Sequence, residues 1–281
     1  MTEKIINEKK QKRKFAFAFS RKQLCIPYGL FLAMFVVFPL FLIVYYAFTD
    51  KTGAFTVYNF LEFFTNTTKI STLLISVFVS LIVTLICLLI AYPVAYILSK
   101  MSKKIAFILL LLFIMPMWIN FVLRAMAMKE FLSLVQLPLG SVANIIGLVY
   151  DYLPFMILPL YSTLIKMDKS FEEAALDLGA SKTRVFMKVT LPLSLSGIIS
   201  GAMMVFLPVM SCYVITDTFS GSTGFTVIGK LIAWCFLGEN GTMPSVSGGA
   251  TISLIMLIIL FATMFATGGF KSEDTGRGTN I

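Results

Sequence analysis

The hydrophobic pattern of the chain consists of six long apolar stretches separated by shorter polar segments. The stretches lie at 25–48, 71–98, 105–124, 142–165, 193–217 and 249–270. An α-helix needs about 20 apolar residues to cross roughly 30 Å of membrane hydrocarbon. The pattern therefore predicts six transmembrane helices, of which the third and fourth are broken by polar and proline residues. These residues are Pro116, Asn120, Asp151 and Pro154.

The composition places the chain among integral membrane proteins. Hydrophobic residues make up 58% of it and charged residues only 13%, and the mean hydropathy is +0.90. A soluble domain of this size does not tolerate so apolar a composition. The chain also has no histidine, no Gly-x-x-x-x-Gly-Lys-Ser/Thr phosphate loop and no Gly-x-Ser-x-Gly nucleophile elbow. We therefore expect a protein that is not an enzyme and that holds neither a cofactor nor a metal.

Lysine and arginine are distributed unevenly between the two sides that six spans would create. Of the 23 such residues, only five fall on the predicted outer side, namely Lys51, Lys69, Arg124, Lys129 and Lys230. Cytoplasmic segments of membrane proteins carry the excess of positive charge. Both termini and the loop at 166–192 are therefore predicted to be cytoplasmic. The chain then divides into a basic tail at 1–24, a six-span domain at 25–270 and a second tail at 271–281.

The net charge of +9 does not indicate a nucleic-acid partner. The positive residues lie beside the predicted spans, where anionic lipid headgroups attract them, so membrane lipid is the expected partner. The first span is too long for the apolar core of a signal peptide, and we expect it to remain as an anchor.

The loop at 166–192, called the Glu173 loop from here on, contains the start and stop signals of two short helices. Ser170 and Glu173 have the spacing of a capping box, which predicts a helix start at Ser170. Gly179 suits the left-handed residue that ends such a helix. Ser181 is then predicted to cap a second helix, and Pro192 to lie in the first turn of the next membrane helix.

The same loop has the residues of a docking surface. Ala174, Ala175 and Gly179 are small enough for another protein's backbone to approach closely, and Glu173 and Asp177 offer carboxylates one helical turn apart. The alternative is a solvated helical hairpin in which Glu173 is only a cap.

The spacing of the loop favours docking, because it resembles the coupling loop of ABC-importer permeases. Glu-Ala-Ala is followed by three residues, a glycine, nine residues, an aliphatic residue and, one residue later, Leu-Pro, with Val189 in the aliphatic position. The resemblance implies the type I permease fold and a cytoplasmic ATPase dimer that binds the ATP. The residues that would contact this ATPase are Glu173, Ala174, Ala175, Asp177, Gly179, Val189, Leu191 and Pro192.

Further segments narrow the resemblance to the permease subunits of spermidine/putrescine importers. The segments are Ala91-Tyr92-Pro93, Pro116-Met-Trp118-Ile-Asn120, Leu153-Pro154-Phe155 and Asp177-Leu-Gly179-Ala-Ser-Lys182. The resemblance implies polyamine import across a bacterial cell membrane. It also implies a second permease subunit and an extracytoplasmic substrate-binding protein.

A polyamine is a flexible chain of ammonium groups, so its path requires carboxylates and aromatic faces. The candidates are Tyr45, Trp118, Asn120, Asp151, Tyr213 and Asp217. Some of them have an ordinary alternative. Trp118 is as well explained as an aromatic anchor at the membrane surface, and Asp217 as a helix-end carboxylate that pairs with Lys230 or Arg124.

Two other functions remain open from the sequence. Arg124 would repel a cation unless it is paired, for instance with Asp151 or Glu130, and a free arginine would suit an oxyanion such as sulfate. The second is a membrane scaffold that recruits an ATPase without transporting anything. The interruptions of the third and fourth spans argue against a scaffold, because a scaffold does not need them.

Overall fold

The computed structural model describes residues 21–50, 52–219, 224–238 and 244–266. In these residues the chain forms α-helices, and its extended pairing is limited to one bridge between Thr49 and Phe55. A helix satisfies its own backbone hydrogen bonds, as apolar segments in lipid require. The helices are α1 (Arg21–Leu32), α2 (Phe38–Ala47), α3 (Tyr58–Thr65), α4 (Thr67–Lys100), α5 (Lys103–Ile114), α6 (Phe121–Leu134), α7 (Ser141–Lys166), α8 (Ser170–Asp177), α9 (Lys182–Val185), α10 (Leu191–Leu193), α11 (Leu195–Ser211), α12 (Tyr213–Phe219), α13 (Ile228–Leu237) and α14 (Val246–Ala266).

In the described part of the chain, four helical segments are individually long and apolar enough to cross a membrane. They are Ile26–Ala47, formed by α1 and α2 around a π-helical turn, and the helices α4, α7 and α14. They match the predicted first, second, fourth and sixth stretches. The interruption predicted for the fourth stretch is wrong, because α7 continues without a break through Pro154 and Pro159.

The break predicted for the third stretch is confirmed, and the fifth stretch is also bent, although the pattern predicts a single helix there. Lys103–Trp118 and Phe121–Leu134 meet at 99°, and Lys182–Leu193 and Leu195–Ser211 meet at 63°. The first bend follows a 3₁₀ turn that ends at Trp118, after which Ile119 has extended torsion angles. By length and composition the described residues thus contain four span-sized helices, or six if each bent pair counts as one.

The centre of the fold is formed by α4, α7 and α11, which pack against one another. Two glycines allow α11 to approach α7 closely. A Cβ atom at Gly197 would lie 2.6 Å from the Thr163 hydroxyl oxygen, and one at Gly201 would lie 2.7 Å from the Met156 sulfur. Small residues four positions apart are a common means of close helix packing in membranes.

A second apolar cluster joins α13 and α14 to the rest of the molecule. It contains the buried side chains of Phe63, Met210, Ile228 and Ile252. The sequence pattern treats 218–248 as a loop, but residues Ile228–Leu237 form a short apolar helix within it.

The two predicted tails lie mostly outside the described residues. The described chain begins in α1 at Arg21 and ends in α14 at Ala266. The predicted tail at 271–281 and the last residues of the sixth stretch therefore have no structural account.

Candidate functional site

The Glu173 loop begins with α8, which ends where the sequence predicts. Gly179 has a φ of +80°, the left-handed conformation that favours glycine. Its N–H donates to the Leu176 carbonyl at 2.9 Å, and the Ala180 N–H donates to the Ala175 carbonyl at 3.1 Å. The prediction that Gly179 terminates this helix is confirmed.

The helix α8 begins at Ser170, as the sequence predicts, but the predicted capping box does not form. Ser170 is already helical, and its N–H donates to Asp168 Oδ1 at 3.0 Å. Hydrogen bonds from the Ser170 backbone and then from its hydroxyl lower the pKa of the Asp168 carboxyl below its usual value. Asp168 therefore takes the capping role. The Glu173 carboxylate is not used as a cap and lies exposed.

The second helix of the loop begins at the predicted residue but ends later than predicted. Ser181 Oγ accepts a hydrogen bond from the Arg184 N–H at 3.4 Å, which confirms its capping role. The helical chain then continues through Leu193 and bends at Ser194. Pro192 consequently lies in the last turn of this second helix, Lys182–Leu193. The prediction that it opens the next membrane helix is wrong.

One side of the loop is open to solution. Exposed there are Glu173, Ala174, Asp177, Gly179 and Pro192, whereas Ala175, Val189 and Leu191 are half-buried. Two exposed leucines, Leu176 and Leu178, add apolar area to this side. Exposed apolar groups beside small and acidic residues are typical of a surface that contacts another protein.

The opposite side of the loop is attached to the last turns of α4. Glu172 pairs with Lys100, and Glu172 Oε1 also accepts a hydrogen bond from the buried Thr190 hydroxyl at 3.0 Å. The Phe186 ring packs edge-on against the rings of Tyr92 and Tyr96, with centroid distances of 5.6 and 5.4 Å. Sequence reasoning did not find these contacts, because the partners are far apart in the chain.

The bend at Ser194 is attached to the same helix. The hydroxyl groups of Tyr92 and Ser194 share a buried hydrogen bond of 2.8 Å, and the Ser194 hydroxyl also donates to the Leu191 carbonyl at 2.9 Å. The helix Lys182–Leu193, the bend at Ser194 and α4 are therefore held together as one unit.

Asp151, one of the predicted pathway carboxylates, lies in the interior of the protein. Its Oδ1 is 2.9 Å from Arg124 Nη2, and the side chains are 2% and 8% exposed. The pair joins α7 to α6, the second half of the bent third stretch. One of the pairings that the sequence left open for Arg124 is thus observed, and its charge is neutralised.

Asp217 lies at the protein surface, in α12. Its Oδ1 is 2.6 Å from the ammonium nitrogen of Lys230, which also lies 5.0 Å from the centre of the Trp234 ring. Tyr213, one turn earlier in α12, is exposed. The pairing with Lys230 is the ordinary alternative stated for Asp217.

The remaining predicted pathway residues lie in different parts of the fold. Trp118 is 80% exposed, at the 99° bend. Asn120 follows it and caps α6, since its Oδ1 accepts a hydrogen bond from the Val122 N–H at 2.9 Å. Tyr45 lines a cavity of about 270 Å³ together with Phe41 and other residues of the first stretch and the following loop. Arg124 and Lys230, the observed partners of Asp151 and Asp217, are not among the six predicted pathway residues. Among the described residues no group of three His, Cys, Asp or Glu side chains is suited to a metal ion.

Comparison with known proteins provides two kinds of similarity. A family model described as "Binding-protein-dependent transport system inner membrane component" matches residues 88–269. The chain is also 35% identical to the spermidine/putrescine transport system permease protein PotB of Haemophilus influenzae, over 92% of this chain and 95% of that protein.

Two other PotB proteins match a shorter part of the chain. Those of Escherichia coli and of Salmonella typhimurium strain LT2 are each 36% identical over 58% of this chain. The matched region spans only 65% and 62% of the length of those two proteins.

Solved structures share the fold at low sequence identity. A bacterial ABC transporter that imports the acidic polysaccharide alginate has a chain with a TM-score of 0.65 and 16% identity, covering 88% of this chain and 94% of its own. A chain of the alginate transporter in complex with its pentasaccharide-bound periplasmic protein has a TM-score of 0.71 and 13% identity, covering 92% and 96%.

Proposed function

Because the chain belongs to the family of binding-protein-dependent transport system inner membrane components, we propose that it is a permease subunit of an ATP-driven polyamine importer. The family consists of transport components and not of enzymes. The observation that carries the cargo assignment is the similarity, along nearly the whole chain, to a permease named for spermidine and putrescine.

The proposed topology has six spans with both termini in the cytoplasm. Each bent helix pair counts as one span in this topology, and the lengths of the helices support that count. The concentration of lysine and arginine in the Glu173 loop and the two tails supports the orientation.

In this topology the open side of the Glu173 loop contacts one subunit of a cytoplasmic ATPase dimer, which binds the ATP. Glu173 and Asp177 offer charge to basic groups, and Leu176 and Leu178 offer apolar area. The left-handed turn at Gly179 keeps the two loop helices close together. The half-buried Val189 and Leu191 hold the second helix against the protein.

The proposed mechanism is alternating access driven by the ATPase. ATP binding closes the dimer and draws together the Glu173 loops of this chain and of a second permease subunit. Because Glu172 and Phe186 attach the loop to α4, the movement reaches the end of α4 as well as α11. The path then opens toward a binding protein on the outer side, and hydrolysis returns it to the inward-facing state.

The proposed cargo path uses residues that are exposed on this subunit and that a second permease subunit would face. They are Tyr45, Trp118, Asn120, Tyr213 and Asp217. Asp151 stays a prediction for this path. Its burial against Arg124 supports a structural role instead, because a solute would have to displace a guanidinium group.

Arg124 no longer favours the alternative that the cargo is an oxyanion such as sulfate. That alternative required a free arginine, and Arg124 is buried and paired with Asp151. Pairing removes the net positive charge that would attract sulfate. An uptake experiment distinguishes a transporter from a non-transporting scaffold.

The test is uptake of labelled spermidine and putrescine into vesicles that contain this chain with its partner permease, ATPase and binding protein. ATP-dependent uptake that unlabelled polyamine blocks and excess sulfate does not block would support the proposal. No polyamine uptake from an assembly with active ATPase would overturn the cargo assignment. If no solute moves although the ATPase is bound, the scaffold is favoured. A non-hydrolysable ATP analogue provides the control.

A further inference from the structure

The ammonium group of Lys230 has two partners that differ in chemistry. One is the Asp217 carboxylate at 2.6 Å, and the other is the face of the Trp234 ring at 5.0 Å from its centre. A carboxylate and an aromatic face are the groups with which proteins bind an alkylammonium ion. The end of a lysine side chain, a primary ammonium on a methylene chain, is also chemically the end of a polyamine.

The partners of Lys230 are held in place by contacts that do not involve its side chain. The Ile228 N–H donates to the buried Ser76 Oγ at 2.7 Å, which attaches the start of α13 to α4. Gly229 lies directly against the Ser211 carbonyl at the end of α11, so that a Cβ atom there would overlap the carbonyl oxygen. Asp217 lies in α12, whose side chains Ile215 and Phe219 are buried. Removal of the Lys230 charge should therefore leave Asp217 and Trp234 where they are.

The ion pair is accessible to a solute. The Asp217 side chain is 58% exposed, whereas that of Lys230 is 20% exposed. Exposed ion pairs contribute little net stability, because water solvates both charges when they separate. A competing ammonium ion can thus take the place of Lys230 without disturbing the fold.

We propose that Asp217 and Trp234 form an alkylammonium-binding subsite that the Lys230 ammonium occupies in the absence of cargo. A terminal ammonium of the polyamine displaces Lys230, which then turns toward solvent. Lys230 acts as a tethered competitor and raises the cargo concentration that the importer needs. This inference rests on the proposed function, since it assumes a polyamine cargo.

The experiment measures the initial rate of spermidine uptake against spermidine concentration in vesicles with the complete importer. Lys230→Met removes the competitor and is expected to lower the KM about two- to five-fold, the range that an exposed ion pair provides. Asp217→Asn and Trp234→Leu remove the subsite and are expected to raise the KM.

The chain contains a matched control. Lys69 pairs with Glu62 at 2.7 Å, with side chains that are 21% and 47% exposed, so the geometry nearly equals that of the Lys230 pair. Among the four ion pairs of the described residues, the Lys69 pair is the one whose cation does not also lie over an aromatic ring. Lys69→Met is expected to leave the KM unchanged.

The two proposals fail in different ways. If the wild-type importer takes up spermidine and Lys230→Met has an unchanged or higher KM, the tethered competitor is overturned and the proposed function stands. If the wild-type importer with active ATPase moves no polyamine, both are overturned. Should Lys230→Met not assemble, Lys230→Gln provides the same comparison, because it removes the charge and keeps a hydrogen-bond donor for Asp217.

Discussion

The buried pair of Arg124 and Asp151 leads to a prediction that separates a structural role from a transport role. We expect Asp151→Asn to destabilise the protein strongly. The exchange removes one charge of a pair whose side chains are only 8% and 2% exposed. The Arg124 guanidinium would stay buried without a counter-charge, and an unpaired buried charge is among the most destabilising features a protein can contain.

The magnitude follows from the geometry. At 2.9 Å the attraction between two unit charges is about 6 kcal/mol at an effective dielectric constant of about 20. Desolvation offsets most of it, so the intact pair contributes little. Breaking such a pair from one side nevertheless costs about 3–5 kcal/mol. At about 2–4 °C for each kcal/mol in a protein of this size, the melting temperature should fall by roughly 6–20 °C.

The assay follows thermal unfolding of the purified assembly in detergent with a thiol-reactive dye. Cys87 is fully buried in the central helix cluster and becomes reactive when that cluster opens. Asp217→Asn is the matched control. It breaks an ion pair at a similar distance but with a 58% exposed carboxylate, and exposed pairs contribute about 0–1 kcal/mol.

A melting temperature of Asp151→Asn equal to that of the wild type would refute the reasoning. If uptake also fell in that variant, the role of Asp151 in the cargo path would be favoured. The double variant Arg124→Met/Asp151→Leu provides an internal check. It should be more stable than Asp151→Asn alone, because it removes both buried charges.

Three further predictions concern the Glu173 loop. Glu173→Gln should weaken co-purification of the ATPase, because this carboxylate is exposed. Glu172→Gln should preserve co-purification but lower the cargo moved per ATP hydrolysed, because it breaks the pair with Lys100. Phe186→Ala should lower the same ratio of uptake to hydrolysis, since it removes two ring contacts worth about 1–3 kcal/mol together. Gly179→Asp should abolish co-purification and Gly179→Ala should reduce it less, because both strain the turn by about 1–2 kcal/mol and only Asp adds a charge at the docking surface.

Each of these predictions has an outcome that contradicts it. Equal effects of the Glu172 and Glu173 variants on ATPase binding would show that the two carboxylates do not face different partners. A normal ratio of uptake to hydrolysis in Phe186→Ala would exclude the ring contacts as a route of coupling. ATP-driven uptake at the wild-type rate in Gly179→Asp would contradict the docking role of the turn.

The straight helices of this fold could be located from the sequence because their cause is local. A stretch of apolar residues forms a helix wherever lipid replaces water, and the predicted stretches 71–98 and 142–165 agree closely with Thr67–Lys100 and Ser141–Lys166. The turn at Gly179 and the cap at Ser181 are local signals as well. The close approach of α11 to α7 was not predicted, although Gly197 and Gly201 have the four-residue spacing of small-residue packing.

The break of the third stretch was also predicted, from Pro116 and Asn120, but the bend of the fifth stretch could not be located because its cause is distant in the chain. Ser194 is buried at the 63° bend and bonds to Tyr92, 102 residues earlier. Pro192 is a strong local signal for a helix start, yet the helix passes through it and bends two residues later. The position of this bend therefore coincides with the hydrogen bond to α4 and not with the proline.

The neighbouring residues Glu172 and Glu173 illustrate the same limit at the candidate site. Successive residues of a helix point about 100° apart, so two adjacent carboxylates cannot both face α4. The structure turns Glu172 toward Lys100 and Thr190 and leaves Glu173 exposed. The sequence could identify the exposed member by its spacing to Gly179, but the role of the other depends on where α4 ends. A loop attached on one side and open on the other can pass a partner's movement to α4, whereas a loop attached only through its two chain ends would bend instead.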